Sequence, residues 1–361
     1  IRTAGCVYVD KTEYVWHRTH IRAPVFLSRP RRFGKTLLTN TIACYFAGRK
    51  DLFEGLKIAD YEKEWREYPV LKFDLSRAKE GEVKDIVLSI SLQIEEYESL
   101  WGIESPVGKL GDRLSRLIKA AKAKTSQKVV ILVDEYDAPL NNNIDKPEEF
   151  LSAIRSELRS FFGPIKSCET DIRFAFLTGI TRYSQLGIFS ELNNLNNISM
   201  NPLYAGVCGI THEELHTTLR LDVERLAKAL GKTIDETYAK LAFQYDGYHT
   251  CKNSPDIYSP FSLVNALNDC ELKNYWFGSA TPTMLVKYMR KMDFTFDLSR
   301  LDGAEVKEGS FNIPLEEAHT PLPILYQSGY LTIRSYDDFV DMYTLCIPNN
   351  DVRIGLSDSL L

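Results

Sequence analysis

The feature that most restricts the fold is an apolar run that ends in acid: Val129-Val130-Ile131-Leu132-Val133, then Asp134-Glu135. Five consecutive β-formers with no polar alternation describe a strand buried on both faces, the habit of a parallel sheet covered by helices. Carboxylates at its carboxyl end stand where open α/β sheets present their ligand sites. Upstream, Phe26-Leu27-Ser28 closes another apolar run, Arg29-Pro30-Arg31-Arg32-Phe33-Gly34 reads as a tight loop, and Lys35-Thr36-Leu37-Leu38 opens a helix.

A loop running from a strand into a helix tip gathers unpaired backbone N–H groups at the positive end of the helix dipole, and so favours phosphate. Gly34 allows close backbone approach, Lys35 reaches the β/γ-phosphate oxygens, and the Thr36 hydroxyl is a ligand for Mg²⁺. The full phosphate-loop pattern wants a glycine five residues before Gly34, and Arg29 stands there. On this reading residues Arg29 to Leu37 hold Mg·ATP. Asp134 holds the ion through water, and Glu135 orients or deprotonates the attacking water. The bland alternative is a buried strand followed by an acidic turn, which Asp137 would suit. No Asn-Lys-x-Asp guanine signature is present, which favours ATP over GTP.

Arg29, Arg31 and Arg32 form either a solvated basic loop or a source for one guanidinium that faces the γ-phosphate, with Arg32 carried forward as the catalytic candidate. Thr178, at the end of another strand, and Arg182 are expected where a γ-phosphate sensor would stand.

Expected strands are Pro24–Ser28, Val70–Leu75, Val129–Asp134, Ile172–Thr178 and a short one near Ile198–Met200. Helices are expected near 35–48, 83–99, 109–125 and 148–162, giving an α/β core over 1–205. After Pro202 the pattern turns helical, with Thr211 opening a helix and others over Glu224–Leu230, Ile234–Phe243, 261–273 and 282–292. A helical lid is expected over 206–300. Helix Leu322–Ser328, a Gly329 cap and a hairpin of Tyr330–Arg334 with Asp341–Ile347 predict a winged-helix module over 301–361.

The 361 residues are 44% hydrophobic and 26% charged, ordinary for a soluble protein of two or three domains. A net charge of −5 argues against nucleic-acid binding by whole-molecule charge. Within 322–353 the cations are Arg334 and Arg353 against Asp337, Asp338, Asp341 and Asp351, so a protein partner suits that segment at least as well as nucleic acid. Seven scattered cysteines without a C-x-x-C pair argue against a disulfide framework and a structural zinc site and point to a reducing cytoplasm. No apolar run approaches the ~20 residues that span a bilayer. The chain opens on Ile1, so its natural start is expected upstream and a missing signal peptide says little.

His212-Glu213-Glu214-Leu215-His216, with Asp235 and Glu236 downstream, fits a zinc-protease pattern. Thr211 with Glu214 reads more simply as a capping box that leaves His212 and Glu213 in an exposed first turn. Pro255-Asp256 with Glu271-Leu272-Lys273 mimics nuclease spacing, but 261–273 has helical period. His249 has no partner at ligand or triad spacing, and Cys44 and Cys346 read as buried packing residues.

With RPRRFGKT and ILVDEYD in hand, the chain resembles the AAA-ATPase-like family of P-loop proteins found largely in bacteria. The likeness also takes in Tyr8-Val9-Asp10-Lys11-Thr12, Leu177-Thr178-Gly179-Ile180 with Leu192-Asn193-Asn194, and Tyr245-Asp246-Gly247-Tyr248. Further on it takes in Tyr258-Ser259-Pro260-Phe261-Ser262, Tyr275-Trp276-Phe277, Thr281-Pro282-Thr283 and Leu325 through Thr332. In that family Arg29 is ordinary. The resemblance implies a sheet of the additional-strand catalytic-glutamate type, with the 172–178 strand between the P-loop and acid strands. It also implies that Tyr8, Asp10 and Lys11 border the adenine, and that a PD-(D/E)XK nuclease-like domain commonly follows about where Leu361 ends this chain.

Three functions compete: an ATPase whose cycle moves the C-terminal modules, a non-hydrolysing ATP-dependent switch, and a nucleic-acid-binding regulator of an attached nuclease.

Overall fold

The computed structural model describes residues 5–21, 23–78, 81–103, 107–183, 195–276, 283–292 and 298–360. Two compact units emerge. One holds Asp10–Ser28 and Lys35–Ile198, and the other holds Ile1–Val9, Arg29–Gly34 and Ser199–Leu361.

The first unit is built on five strands: β1 Val25–Ser28, β2 Val70–Asp74, β3 Val129–Asp134, β4 Ile172–Gly179 and β5 Asn196–Asn197. Their order is β2-β3-β4-β1-β5, and every pairing is parallel. β4 therefore lies between β1 and β3, as the resemblance implied. β3 is buried at all six positions, which explains why it needs no polar face. The last strand falls before the expected Ile198–Met200. Asn196 and Asn197 pair with β1 through Asn196 N–H to the Pro24 carbonyl (2.8 Å), and Ile198 N–H then reaches the Phe26 carbonyl (3.0 Å). Two asparagines carry no β signal, so only the ladder defines them.

The covering helices begin and end for local reasons. Helix Val83–Trp101 starts at a reciprocal Glu82/Asp85 capping box and stops at left-handed Gly102. Helix Glu148–Phe162 follows Pro147, carries Glu148 and Glu149 in its first turn, and buries Leu151, Ile154, Leu158 and Phe161. Helix Leu110–Thr125 meets Val83–Trp101 through a buried ion pair: Arg113 Nη2 to Glu98 Oε2 is 2.6 Å and Arg113 Nε to Glu98 Oε1 is 3.1 Å. α1 (Thr12–Thr19) and α2 (Lys35–Phe46) complete the unit's main helices.

The second unit packs helices His212–Thr217, Arg220–Leu230, Ile234–Tyr245 and Pro260–Asp269 around a core that includes Leu215, Val223, Leu241, Tyr245 and Leu263. The Thr211/Glu214 capping box is present, with Glu214 Oε2 accepting from Thr211 N–H at 2.8 Å. Helix Pro260–Asp269 ends earlier than the expected 273 because Cys270 turns left-handed (φ 53°). Helix Leu322–Gln327 precedes Gly329 (φ 87°) and the hairpin of strands Thr332–Asp337 and Met342–Cys346, the second of which pairs on its other side with strand Glu305–Val306. The hairpin tip lies at 338–341 rather than 335–340. Polar Ser335 and Asp337 stay in the ladder on its exposed face. Cys346 is buried as expected, but Cys44 is only half-buried.

Truncating one member of a buried ion pair strands the other charge. Arg113→Ala should cost about 3–5 kcal/mol in urea denaturation, and Arg113→Met with Glu98→Leu should recover most of it.

Candidate functional site

Within the first unit, Lys35 opens α2 and its side chain is buried, 6% exposed. A buried ammonium needs a counter-charge, and β3 supplies one. Asp134 is 2% exposed. Burial raises its carboxyl above the ordinary range, a hydrogen bond from the Thr36 hydroxyl and the Lys35 charge act against that rise, and the Asp74 carboxylate adds to it. The structure thus brings Lys35, Thr36 and Asp134 together as expected.

It also adds Asp74, which the sequence reading missed. Asp74 ends β2 directly opposite Asp134 in the ladder. The signal was there: V-L-K-F-D ends in acid as V-V-I-L-V-D does. Asp134 Oδ1 accepts from the Glu135 backbone N–H at 3.1 Å, and Glu135 itself sits at φ 47°. A side chain larger than glycine is strained in that region, and such strain gathers at functional sites.

Asp137, set aside as an ordinary acidic turn, organises the next layer. Its Oδ2 accepts from Ile180 N–H (2.9 Å), Thr181 N–H (2.7 Å), the Thr181 hydroxyl (2.7 Å) and the Asn141 amide (2.8 Å). Tyr136 N–H donates to the Thr178 carbonyl (3.1 Å) and its hydroxyl to the Thr181 carbonyl (2.8 Å). The segment after β3 is therefore fastened to the segment after β4. Gly179 has no room for a side chain, since a Cβ there would lie 2.4 Å from Asp137 Oδ1.

Other expected positions lie elsewhere. Thr178 is fully buried and its hydroxyl donates to the Leu27 carbonyl at 2.8 Å, so that donor is used inside the sheet. Arg182 is half-buried beyond β4. Asp10 braces the start of α1 from just outside it: Oδ1 accepts from Thr12 N–H (2.9 Å) and the Thr12 hydroxyl (2.6 Å), and Oδ2 from Lys57 N–H (2.8 Å). Lys11 and Tyr8 are half-buried, Leu37 is 38% exposed and Thr36 is exposed. Leu192, Asn193, Asn194, Phe277, Thr281 and Pro282 lie outside the described residues.

The segment 29–34 packs inside the second unit. Arg29 is buried, with Nη1 donating to the Ser199 carbonyl (2.7 Å) and Nη2 to the Tyr204 carbonyl (3.1 Å). Arg29 is not part of a solvated basic loop. Arg32 (φ 66°) lays its guanidinium 4.0 Å from the Phe261 ring centroid. Buried Phe33 meets Tyr248 edge-on at 4.8 Å. Pro30 backs onto Gly329, where a Cβ would lie 2.7 Å from Pro30 Cβ. Gly34 is at φ 90° with open space on its Cβ side, leaving room for a close-lying ligand. Arg31 is half-buried. In the same unit His249 does have a partner: Nε2 lies 2.7 Å from Asp256 Oδ1, and Nδ1 lies 2.8 Å from the Ile333 carbonyl. Loop residues 252–256 bring Asp256 back to it, which spacing alone does not show.

The donor set suits a small hard cation. Thr36 offers a hydroxyl, and Asp134 and Asp74 offer carboxylate oxygens of the kind Mg²⁺ prefers. Lys35 at the helix tip suits an anion.

A family model described as "Predicted AAA-ATPase" matches residues 1–189. A protein of Azotobacter chroococcum mcd 1, described as an uncharacterized protein in the vnfD 5' region, is 32% identical over 357 residues. That match takes in 98% of this chain and 66% of the relative, so the chain spans just under two thirds of the relative's length. A structure of the Aeropyrum pernix ORC2 protein (ADPNP-ADP complexes) aligns over 97% of this chain and 92% of its own, at 10% identity. Its TM-score of 0.33 is too low to carry an argument.

Two outcomes follow from the geometry. A carboxyl whose folded-state pKa is raised makes the native state bind more protons than the unfolded chain. Stability then falls as pH rises from the ordinary carboxylate value through the raised one. Asp134 carries that cost once it is ionised, so Asp134→Asn should raise the melting temperature of the ligand-free protein at alkaline pH more than at acidic pH. Arg29→Ala strands two buried carbonyls and should cost about 2–4 kcal/mol by urea denaturation.

Proposed function

Because this chain belongs to the predicted AAA-ATPase family, we propose that it binds Mg·ATP at Lys35 and Thr36 and hydrolyses it with Glu135. The observation that carries this reading is the buried Lys35 ammonium set against Asp134, whose raised carboxyl shares Thr36 as a hydrogen-bond donor. Magnesium, when bound, would neutralise phosphate charge and polarise the γ-phosphoryl group, and Thr36, Asp134 and Asp74 are the residues to hold it. Lys35 pairs with β/γ oxygens. Glu135 takes a proton from the attacking water as that water bonds to the γ-phosphorus, ADP leaves with the bridging oxygen, and the proton passes on to solvent.

Backbone N–H groups of 29–34 are assigned to the phosphates, with Leu37 behind them. Arg29 is committed to the Ser199 and Tyr204 carbonyls, so the γ-phosphate cation of this reading is Arg32 or Arg31. Thr178 acts as a positioning residue through the sheet, Arg182 as a sensor, and Tyr8, Asp10 and Lys11 line the adenine side.

Residues 206–300 are taken as a helical lid and 301–361 as a winged-helix module that the nucleotide cycle rearranges. Its partner in this reading is a protein. Arg334 and Arg353 both pair with Asp302, at 3.0 and 2.8 Å, which occupies both arginines of the segment and leaves little for a phosphate backbone. A reducing cytoplasm suits the free cysteines. Among the described residues no helix is long and apolar enough to cross a membrane.

Isothermal titration calorimetry with Mg·ATP should give a binding heat that Lys35→Ala abolishes, and Glu135→Gln should keep the binding while phosphate release falls by about a hundredfold. Binding without any phosphate release by the parent protein would replace the ATPase with a switch. An absence of binding heat would remove both.

A further inference from the structure

The amino-terminal ends of β1, β3 and β4 border a surface cleft of about 290 Å³. β3 enters at Val129 and leaves at Asp134, so the cleft stands about 20 Å from the acid end of the sheet. It lies within the first unit and owes nothing to the nucleotide site.

The floor is apolar, formed by Ile165, Ile172 and Phe174, and the charged side chains on the wall are Lys128, Arg173 and Glu169. Lys128 and Glu169 are exposed at the rim, whereas Arg173 is half-buried. Its guanidinium carbon is 5.7 Å from the centroids of both Phe46 and Tyr68, which fixes the side chain between two rings. Arg173 Nη1 is enclosed and takes no acceptor among the described residues. The neighbouring Asp171 is paired instead with Lys122, whose Nζ lies 2.5 Å from Oδ1. This half-buried guanidinium has no carboxylate partner among the described residues, and such a group receives an anion when the anion arrives with an apolar body to cover the floor. The two wall cations outnumber the one carboxylate, so an anion is favoured over a neutral ligand.

We propose that this cleft is a binding site for a small organic carboxylate with an apolar body, its carboxylate on Arg173 and Lys128 and its body on Ile165 and Phe174. The volume sits at the small end of ligand pockets, which restricts the occupant to about one ring or a short chain.

Titration of the full chain with 3-phenylpropionate, followed by ligand-observed saturation-transfer NMR and calorimetry, tests this. Saturable binding is expected, with the neutral amide analogue at least about tenfold weaker. Arg173→Gln should weaken the carboxylate about tenfold and leave the amide unchanged. Should Arg173→Gln fail to fold by circular dichroism, Lys128→Ala at the exposed rim carries the same test and should weaken the carboxylate alone. Equal affinity for acid and amide, no saturable binding at millimolar ligand, or full affinity in both folded variants would overturn the proposal.

Discussion

Lys35 and Asp134 are buried close together at the carboxyl end of the central strand, and burial of the carboxyl outweighs the help its neighbours give it. A lysine at the first turn of a helix normally extends into water, and an aspartate at the end of a central strand normally finds a backbone donor and solvent. Here both are buried, and the desolvation of Asp134 is opposed in part by the Thr36 hydroxyl and the Lys35 charge. Asp74, opposite Asp134 in the ladder, leaves the cluster with more negative than positive charge. Such an imbalance is the condition in which a divalent cation binds with gain. The order β2-β3-β4-β1 creates it by placing two acid-ended strands side by side at one edge.

The loop that leads into Lys35 explains why the motifs of this chain occur together. Four of the dispersed motifs of the second unit each contribute a contact to the six residues Arg29–Gly34. Tyr248 and Trp276 pack on Phe33, Phe261 on Arg32, and Gly329 on Pro30. Gly247 and Gly329 are both left-handed, and each lies too close to backbone or proline for a Cβ, with Gly247 facing the Pro348 carbonyl. Arg29 takes the position where the general pattern has glycine because it anchors the loop to the 199–204 segment through two carbonyls. The departure from the pattern is thus a device for holding the loop.

Much of this was legible in the residues. The uninterrupted apolar run before Asp134 marked a buried strand, the Thr-x-x-Glu pair at 211–214 marked a helix start, and loop-to-helix patterning marked Lys35 and Thr36. The misses share a physical cause: they depend on what lies beside a residue across the sheet or loop. Asn196-Asn197 form a strand only because β1 offers free ladder positions. Asp74 matters because of register, and Asp137 because the β4 exit turns its N–H groups toward it. The Thr178 hydroxyl turned to Leu27 rather than outward, and Asp10 turned to Thr12 at the start of α1. A one-dimensional pattern finds elements by period, but the direction of a single polar side chain is settled by neighbours far along the chain.

The central claim is that the buried Asp134 carboxylate is the group that meets the nucleotide-bound metal. Calorimetry of Mg·ATP binding in buffers of different ionisation enthalpy, repeated from weakly acidic to alkaline pH, reads this most directly. The raised carboxyl of the ligand-free protein must lose its proton for the metal to bind. Protons should therefore be released on binding at the acidic end, with affinity rising as pH increases until the release fades. Binding that is indifferent to magnesium, or free of proton release across the range, would contradict the account.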